Sequence, residues 1–463
     1  MILLVPYAAA LTLLAFEMCG FLPRRGLRTP ALPPWIWVGA IVGTYGLQIG
    51  LVWFGATHAS PLPEWRLHMP LPVLFTGTTD LDVVSAAFLA AGAIQSYALL
   101  ALYRSVPSRG LVFAGCAALL AISVASPVLA SFDSYLYARA SIIGPLAWAP
   151  PNVSWLGEYR IIDLWFKKPA YLPYGPLWLV IVRLVCAAPT TIFGKIIALR
   201  VFGAALVIAL IVCMGALRLP RRLLVVAALN PAIAFEFVAN AHNDIIAIVI
   251  LTAAAALAGR HRLAALGLFA AAGLVKLPYV VLGLPLFARL VPAWQRYAGC
   301  GLAIGTTLAI SWFGGGRTYL QALRGHATAS PQQDLFHIVP VACVLILIAV
   351  AFAGGRRLIS AVWLFPAIGA VGIPLIFPWY AIWGFPYAVS RHRILGALLV
   401  TFPFVTALIL PEFMRLWTLF VVFPLVVALS YRPPDRFLQS FASLRLNALG
   451  NRDAQAAGLE IPG

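Results

Sequence analysis

The amino-acid sequence predicts an all-α, polytopic membrane protein of about 12–14 transmembrane and half-membrane helices. Of its 463 residues, 62% are hydrophobic and only 10% are charged, whereas about 25% of the residues in a soluble domain are charged. Because one crossing requires about 20 apolar residues, this composition supplies roughly a dozen spans. The composition therefore excludes a water-soluble enzyme, a disordered chain and a small disulfide-stapled domain.

The basic residues indicate how the chain is oriented in the membrane. The formal net charge is +18, from 32 Lys and Arg against 14 Asp and Glu. These bases form short clusters between apolar runs instead of one soluble face, so we expect no nucleic-acid partner. No basic residue precedes the first apolar segment, and Arg24, Arg25 and Arg28 follow it. The positive-inside rule then predicts a multi-pass protein of the inner (plasma) membrane, with its N-terminus outside and its C-terminus in the cytoplasm.

Long apolar runs predict the positions of the membrane spans. We place the spans at 2–20, 34–56, 81–103, 110–130, 194–217, 222–239, 243–259, 297–313, 338–354, 357–376, 394–411 and 414–430. They form one membrane domain over residues 1–430, in which 1–109 holds the N-terminal spans and 131–175 is a long extracytoplasmic loop. A polar insert of that length is more often functional than a simple connector. Residues 431–463, rich in Arg, Pro, Asn and Gln, predict a cytoplasmic tail.

Three apolar segments are too short or too broken to cross the membrane alone. They are 176–189, which is bounded by prolines; 263–289, which turns at Lys276 and Pro278; and 377–390. Broken helices at membrane depth are tolerated where they line a cavity or are buried in protein. We therefore expect the three breaks to meet at one outward-facing cavity.

The long outer loop carries a carboxylate among tyrosines. Asp133, Tyr135 and Tyr137 stand near its start, and Tyr174 stands at its far end. One interpretation makes Asp133 a helix N-cap and the tyrosines part of an interfacial belt. The other makes Asp133 a general base that faces a sugar hydroxyl at the membrane boundary. From the residues alone, capping is the commoner role at a loop–helix junction.

A second polar group interrupts the apolar spans further along the chain. Glu236 lies near the end of one span, and His242, Asn243 and Asp244 follow between that span and the next. Acids inside the membrane are rare and usually functional. Capping of the next helix by Asn243 or Asp244 would explain one of these residues but leaves Glu236 and His242 without a role, so the pattern favours function.

Two cations and two aromatic residues each allow a structural and a functional interpretation. Lys276 interrupts an apolar stretch two residues before a proline, where it could reach for the interface or form an anion site beside freed backbone groups. Arg183 in its short segment has the same two interpretations. Trp379 and Tyr380 are typical of an aromatic belt, and a substrate platform is the alternative.

Asp80 and Asp82 raise the question of a metal ion. Their spacing is the one that many nucleotide-sugar transferases use to hold a divalent metal, yet acids are also favoured at the start of a helix, which is the commoner explanation. The sequence thus identifies no certain cofactor, and a divalent metal ion is the candidate.

Taken in order, these motifs resemble the GT-C superfamily of membrane glycosyltransferases, and most closely the bacterial polyprenyl-phosphate-mannose-dependent α-mannosyltransferases. The matching elements are Ser131, Asp133, Tyr135 and Tyr137; Pro173 to Pro176; Leu229 to Pro231 with Glu236; His242 to Asp244; Lys276 with Pro278; and Pro378 to Tyr380. The resemblance covers residues 110 to 430 and implies a GT-C-like fold.

The resemblance also implies an activity. A sugar, with mannose favoured, would pass from a polyprenyl-phosphate donor in the lipid bilayer to an extracytoplasmic glycan or glycolipid acceptor, with inversion at the anomeric carbon. Asp133 would be the catalytic base. Contacts to the donor phosphate or sugar would come from Lys276, His242, Asn243, Asp244, Glu236 and Arg183. Contacts to the acceptor or sugar would come from Tyr135, Tyr137, Tyr174, Trp379 and Tyr380.

Other functions stay open at this point. A transporter or flippase of a lipid-linked sugar also uses broken helices and intramembrane charge. The lack of an internal repeat, and the long loop with Asp133 on one side only, favour a transferase. A ligase that moves a whole glycan is a second alternative. Arabinose, glucose and galactose remain alternatives to mannose.

Overall fold

The fold is known from a computed structural model. It describes residues 30–59, 78–126, 133–149, 172–258, 260–277, 279, 293–327, 379, 382–383, 385–389 and 392–407. Over these residues the regular structure is helical, without a strand, which confirms the predicted fold class. The predicted spans 2–20, 338–354, 357–376 and 414–430, and the predicted tail 431–463, lie outside the described residues.

The described part of the chain forms a series of α-helices. In chain order they are α1 (Pro34–Ala59), α2 (Thr78–Ser105), α3 (Arg109–Ala125), α4 (Asp133–Ile143), α5 (Pro176–Val185), α6 (Ile192–Ala216), α7 (Arg221–Ala228), α8 (Pro231–Ala234), α9 (Asp244–Leu257), α10 (Arg262–Val275), α11 (Ala293–Gly314), α12 (Gly316–Ala327), α13 (Phe385–Ala388) and α14 (His392–Thr406). A 3-10 helix, Gly144–Trp148, follows α4, and a π-helix, Phe235–Ala239, follows α8.

Several of these helices coincide with predicted spans. They are α1, α2, α3, α6, α9, α11 and α14. Among the described residues, Pro34–Trp53, Ala86–Ser105 and Ile192–Ala216 are long and apolar enough to cross a membrane as single helices. This agrees with a multi-pass membrane protein.

Two groups of helices pack side by side. In the first, α1 contacts α2 and α3, and α2 contacts α14. Buried polar side chains join its members: the Tyr45 hydroxyl lies 2.6 Å from Ser123 Oγ, and Gln95 Nε2 donates to Gln48 Oε1 over 2.8 Å. In the second group, α9 contacts α6 and α10, while α4 contacts α5 and α6. The second group includes α4 and α9, which begin at Asp133 and Asp244.

The span predicted at 222–239 is present as two halves, with a break between them that the sequence analysis did not predict. The direction of the helix axis changes by 48° between its two halves. Pro231 lacks a backbone N–H and so starts a new helix at its own position. Asn230 caps that helix: its Oδ1 accepts from the Ala232 N–H at 3.1 Å, and its Nδ2 donates to the Leu399 carbonyl at 2.6 Å. Asn230 therefore stabilises the break by bonding both to the start of α8 and to α14.

The π-helix after this break is held against α6. Arg200, fully buried, donates through Nε to the Ala239 carbonyl at 3.0 Å. Gly203 lies against the same turn, because a Cβ there would come within 2.2 Å of the Phe237 carbonyl oxygen. The close approach of the two backbones fixes the position of Glu236, which lies on the π-helix one residue before Phe237.

Replacing Gly203 with alanine should destabilise the protein, because the new methyl group forces α6 away from the π-helix. Overpacking of this kind costs about 1–3 kcal/mol. Thermal unfolding of the detergent-solubilised protein should show a lower midpoint for Gly203→Ala. The control is Gly267→Ala on α10, because Gly267 is exposed and no described atom lies within 4 Å of the place a methyl group would take. Equal midpoints for the two variants would contradict the close contact.

Candidate functional site

Two of the predicted breaks meet through their backbones. The N–H of Gly175, just before α5, donates to the carbonyl of Val275 at the end of α10, over 2.9 Å. A Cβ at position 175 would lie 2.1 Å from the Leu274 carbonyl oxygen, so only glycine permits this approach. The contact places Tyr174 directly beside Lys276.

Asp244, the first residue of α9, joins these breaks to the third. Its Oδ1 accepts three hydrogen bonds: from Lys276 Nζ at 3.0 Å, from the Tyr279 hydroxyl at 3.0 Å and from Trp383 Nε1 at 2.7 Å. The side chain of Asp244 is 2% exposed and that of Lys276 is 12% exposed, so this is a buried ion pair. Side chains near all three predicted breaks therefore meet around Asp244, and the outward-facing cavity stays a prediction.

The Lys276 ammonium also lies over two aromatic rings. It is 5.3 Å from the centre of the Tyr174 ring and 4.8 Å from that of Trp383. Such cation–π contacts hold a desolvated ammonium in place without neutralising its charge. Lys276 is therefore fixed by three neighbours: a carboxylate and two ring faces.

Asp133 lies on the other side of Tyr174. It is the first residue of α4, and its Oδ2 accepts from the hydroxyls of Tyr137 and Tyr174, each over 3.0 Å. A carboxylate is also favoured at a helix N-terminus, so the capping and the functional interpretations apply to the same atom group. One tyrosine side chain thus bridges the carboxylate of Asp133 and the ammonium of Lys276.

The described parts of the predicted outer loop are folded. α4 is buried over most of its length. Trp148 Nε1 donates to the Tyr174 carbonyl, and the Leu172 N–H donates to the Ala147 carbonyl, each over 3.0 Å. These bonds tie the far end of the loop to its start. They also position Tyr174 between Asp133 and Lys276.

The three tyrosines from the outer loop occupy different positions. The Tyr137 ring packs edge-on against Tyr174, with ring centres 5.4 Å apart, and against Trp178 at 4.7 Å. Tyr135, which is buried on α4, lies within electrostatic range of Arg200 on α6. Tyr137 and Tyr174 therefore belong to the Asp133 group, and Tyr135 faces the neighbouring helix α6.

Glu236 and His242 form a second buried group next to Asp244. Glu236 Oε2 accepts from Asn240 Nδ2 at 3.0 Å and lies 3.2 Å from His242 Nδ1, although that approach lacks hydrogen-bond alignment. The His242 ring stacks on Trp379, with centres 3.9 Å apart and planes 22° apart. Trp379 belongs to the same segment as Trp383, so this segment contacts both polar groups.

Asn243 occupies the N-cap position of α9, but its side chain makes no capping hydrogen bond to that helix. The residue is 1% exposed. The structure therefore places Asn243 at the cap as the sequence suggested and leaves its amide out of the cap.

The remaining predicted residues lie elsewhere. Arg183 is exposed in the last turn of α5, where its guanidinium lies beside Gly144, and the structure does not bring it to Lys276. Asp80 and Asp82 stand at the start of α2, and their side chains, like Tyr380, lie outside the described residues. Within the described ranges, no group of three or more His, Cys, Asp or Glu side chains could hold a metal ion.

Sequence reasoning missed three participants. Tyr279 and Trp383 are donors to Asp244. Tyr279 follows the Lys276 break directly, and Trp383 stands four residues after Trp379, so their positions gave a local signal. The third is Arg200, a cation within an otherwise apolar span, and the rarity of such cations in membranes is the signal that could have identified it.

Comparison with known proteins supplies a family. The family model described as "Alpha-(1->6)-mannopyranosyltransferase, N-terminal domain", of the MptA/B family, matches residues 37–293, more than half of the chain. No curated protein and no solved structure matches. The matched range includes α4, α5 and α9 and all the polar residues of the site except those of the 379–383 segment.

Breaking the Asp244–Lys276 pair from one side should destabilise the protein strongly. Asp244→Asn leaves the Lys276 ammonium buried without its carboxylate, which costs roughly 3–5 kcal/mol for a buried pair. Adding Lys276→Met should recover part of this loss, because the uncompensated charge is then removed. The measurement is a double-mutant cycle on the thermal unfolding midpoint in detergent. Additive losses from the two substitutions would mean that the two side chains are not coupled.

Proposed function

The chain belongs to the family of alpha-(1->6)-mannopyranosyltransferases, and we propose that it transfers mannose from a polyprenyl-phosphate donor to an extracytoplasmic glycan or glycolipid acceptor. The observation that carries this proposal is the Asp133–Tyr174–Lys276 arrangement, in which one tyrosine separates a carboxylate from an ammonium. A transfer from a phosphate needs both groups at one place.

The carboxylate supplies the base. A sugar hydroxyl is a poor nucleophile at neutral pH, and a carboxylate within hydrogen-bond reach removes its proton as it attacks. In the proposed step, the acceptor oxygen bonds to the anomeric carbon of mannose while the bond from that carbon to the phosphate oxygen breaks. The hydroxyl proton passes to Asp133, and polyprenyl phosphate leaves with the bonding electron pair. A single displacement of this kind inverts the anomeric carbon.

The cation stabilises the leaving group. Negative charge grows on the phosphate as the glycosidic bond breaks, and a fixed positive charge lowers the barrier. Lys276 supplies that charge, and Asp244 with the two aromatic rings fixes its position. The helices α4, α5 and α9 all begin at this cluster, and their N-terminal ends add a positive potential.

The tyrosine hydroxyls contribute to the acceptor side of the proposed site. Tyr137 and Tyr174 both donate to Asp133 and so orient its carboxylate. Trp379 contributes an aromatic surface next to His242. The proposed step uses protein side chains, and a divalent metal ion at Asp80 and Asp82 stays a prediction, because these side chains lie outside the described residues.

The test of the proposed function is a transfer assay with the purified protein in lipid nanodiscs. The donor is polyprenyl-phosphate mannose labelled in the sugar, and the acceptors are a series of short mannosides of increasing length. The proposal requires a product that is heavier than the acceptor by one hexose, with an anomeric configuration opposite to that of the donor. Donor that changes leaflets in liposomes without product would identify a flippase instead.

The base assignment makes a specific prediction. Asp133→Asn keeps the size of the side chain but removes its basicity, so the transfer rate should fall by roughly 10²–10⁴-fold. Tyr174→Phe should lower the rate less, since it removes one hydrogen bond to the carboxylate. Tyr45→Phe is the matched control, because it also removes one buried tyrosine hydroxyl, one that bonds to Ser123 and not to Asp133. All variants should elute from size exclusion as the wild type does, and an Asp133→Asn protein with full activity would remove this residue from the role.

A further inference from the structure

Five buried polar atoms next to Asp244 have no hydrogen-bond partner among the described residues. They are Glu236 Oε1, both ring nitrogens of His242, and both amide atoms of Asn243, Oδ1 and Nδ2. All three residues are at most 1% exposed. A buried polar atom without a partner destabilises a protein, so native structures contain few of them and each requires an explanation. Here the atoms belong to three residues within eight positions of the chain.

Local structure does not explain these atoms. The usual task of an asparagine at the N-cap is to accept from the helix backbone, and the Asn243 side chain does not do so. Asn240 satisfies only one of the two carboxylate oxygens of Glu236. The Glu236 carboxylate and the Trp379 ring hold His242 at Nδ1 and on its ring face, which leaves Nε2 available. Glu236 and His242 are therefore held in place with part of each side chain unused, and among the described residues the Asn243 amide has no partner.

The chemistry of the unused atoms selects the class of ligand. Glu236 Oε1 and Asn243 Oδ1 accept hydrogen bonds, Asn243 Nδ2 donates, and His242 Nε2 does either. A phosphate offers acceptors and negative charge, and would be repelled by the Glu236 carboxylate. A hydroxyl both donates and accepts, so a ring with several hydroxyls satisfies the whole set. A proton relay would not need Asn243, whose amide does not titrate.

We propose that Glu236, His242 and Asn243 bind the hydroxyl groups of the donor sugar and determine which sugar the protein accepts. The inference rests on the proposed function and narrows it: the phosphate lies at Lys276, and the sugar ring lies on the Glu236 side of Asp244. Asn243 and Asp244 are consecutive, and Asp244 pairs with Lys276. A sugar bound at Asn243 is therefore next to the Lys276 ammonium. This places the bond between sugar and phosphate at the junction of the two polar groups.

The experiment uses donors that lack one hydroxyl each. Polyprenyl-phosphate mannose and its 2-, 3-, 4- and 6-deoxy analogues are compared in the transfer assay by kcat/KM. A site with buried polar groups discriminates strongly against an analogue that leaves them unpaired, so at least one deoxy donor should be poorer by on the order of 100-fold or more. In Glu236→Gln and in Asn243→Leu, the ratio of kcat/KM between the parent donor and one deoxy donor should move towards one. The deoxy donor affected should differ between the two variants, because each residue binds a different hydroxyl.

The matched control is Gln95→Leu, which removes a buried amide between α1 and α2 whose hydrogen bond goes to Gln48. It should leave every ratio between donors unchanged. Ratios that also stay unchanged in Glu236→Gln and Asn243→Leu would overturn the inference, while activity of the wild-type protein would keep the proposed function. A wild-type protein that transfers no sugar would overturn the proposed function and this inference with it.

A second measurement needs no variant to fold. Thermal unfolding of the wild-type protein is followed with polyprenyl-phosphate mannose, with each deoxy donor and with polyprenyl phosphate alone. The full donor should raise the unfolding midpoint more than polyprenyl phosphate does, and one or more deoxy donors should lose that difference. Equal protection by the lipid phosphate without its sugar would show that no sugar hydroxyl is bound, and would overturn the inference.

Discussion

The candidate site depends on the hydrogen bonds and the ion pair that the buried Asp244 carboxylate makes. A charge in a low-dielectric interior is tolerated only when it is paired and hydrogen-bonded. Asp244 meets this condition with donors from two other segments, Lys276 and Tyr279 at one break and Trp383 at another. Satisfying one carboxylate therefore joins three parts of the chain that are distant in sequence.

The breaks in the helices place charged and aromatic side chains at this cluster. A continuous helix through α10 would carry Lys276 along its side, whereas the break at Val275 leaves the lysine at the end of the helix, beside Tyr174. α4, α5 and α9 begin around the same point, so their positive ends face one region. The irregular backbone is buried in protein, as lipid requires. These constraints together support the phosphate site proposed at Lys276.

The same region contains polar atoms that the described part of the fold does not satisfy. Satisfied groups such as Asp244 stabilise the protein, and the unsatisfied atoms of Glu236 and Asn243 do so only when a ligand completes them. Natural proteins depart from consistent packing and hydrogen bonding chiefly at functional sites. Asp244 has three donors, whereas the amide of the adjacent Asn243 has no partner within the described ranges. This contrast marks the boundary between the part that holds the site together and the part left for substrate.

Local patterns in the sequence determined the fold class, most described spans and the candidate residues. An apolar run of sufficient length crosses a membrane wherever it occurs, and an acid or lysine inside such a run is costly and therefore visible, as at Glu236 and Lys276. The break at Pro231 was equally visible but was missed, because mean hydropathy does not record a lost backbone N–H. Only the tertiary structure decided that Tyr174 bridges Asp133 and Lys276 and that Arg183 lies apart, because contacts between distant segments depend on how helices pack. The family could thus be predicted from the chain, and the geometry of the candidate site could not.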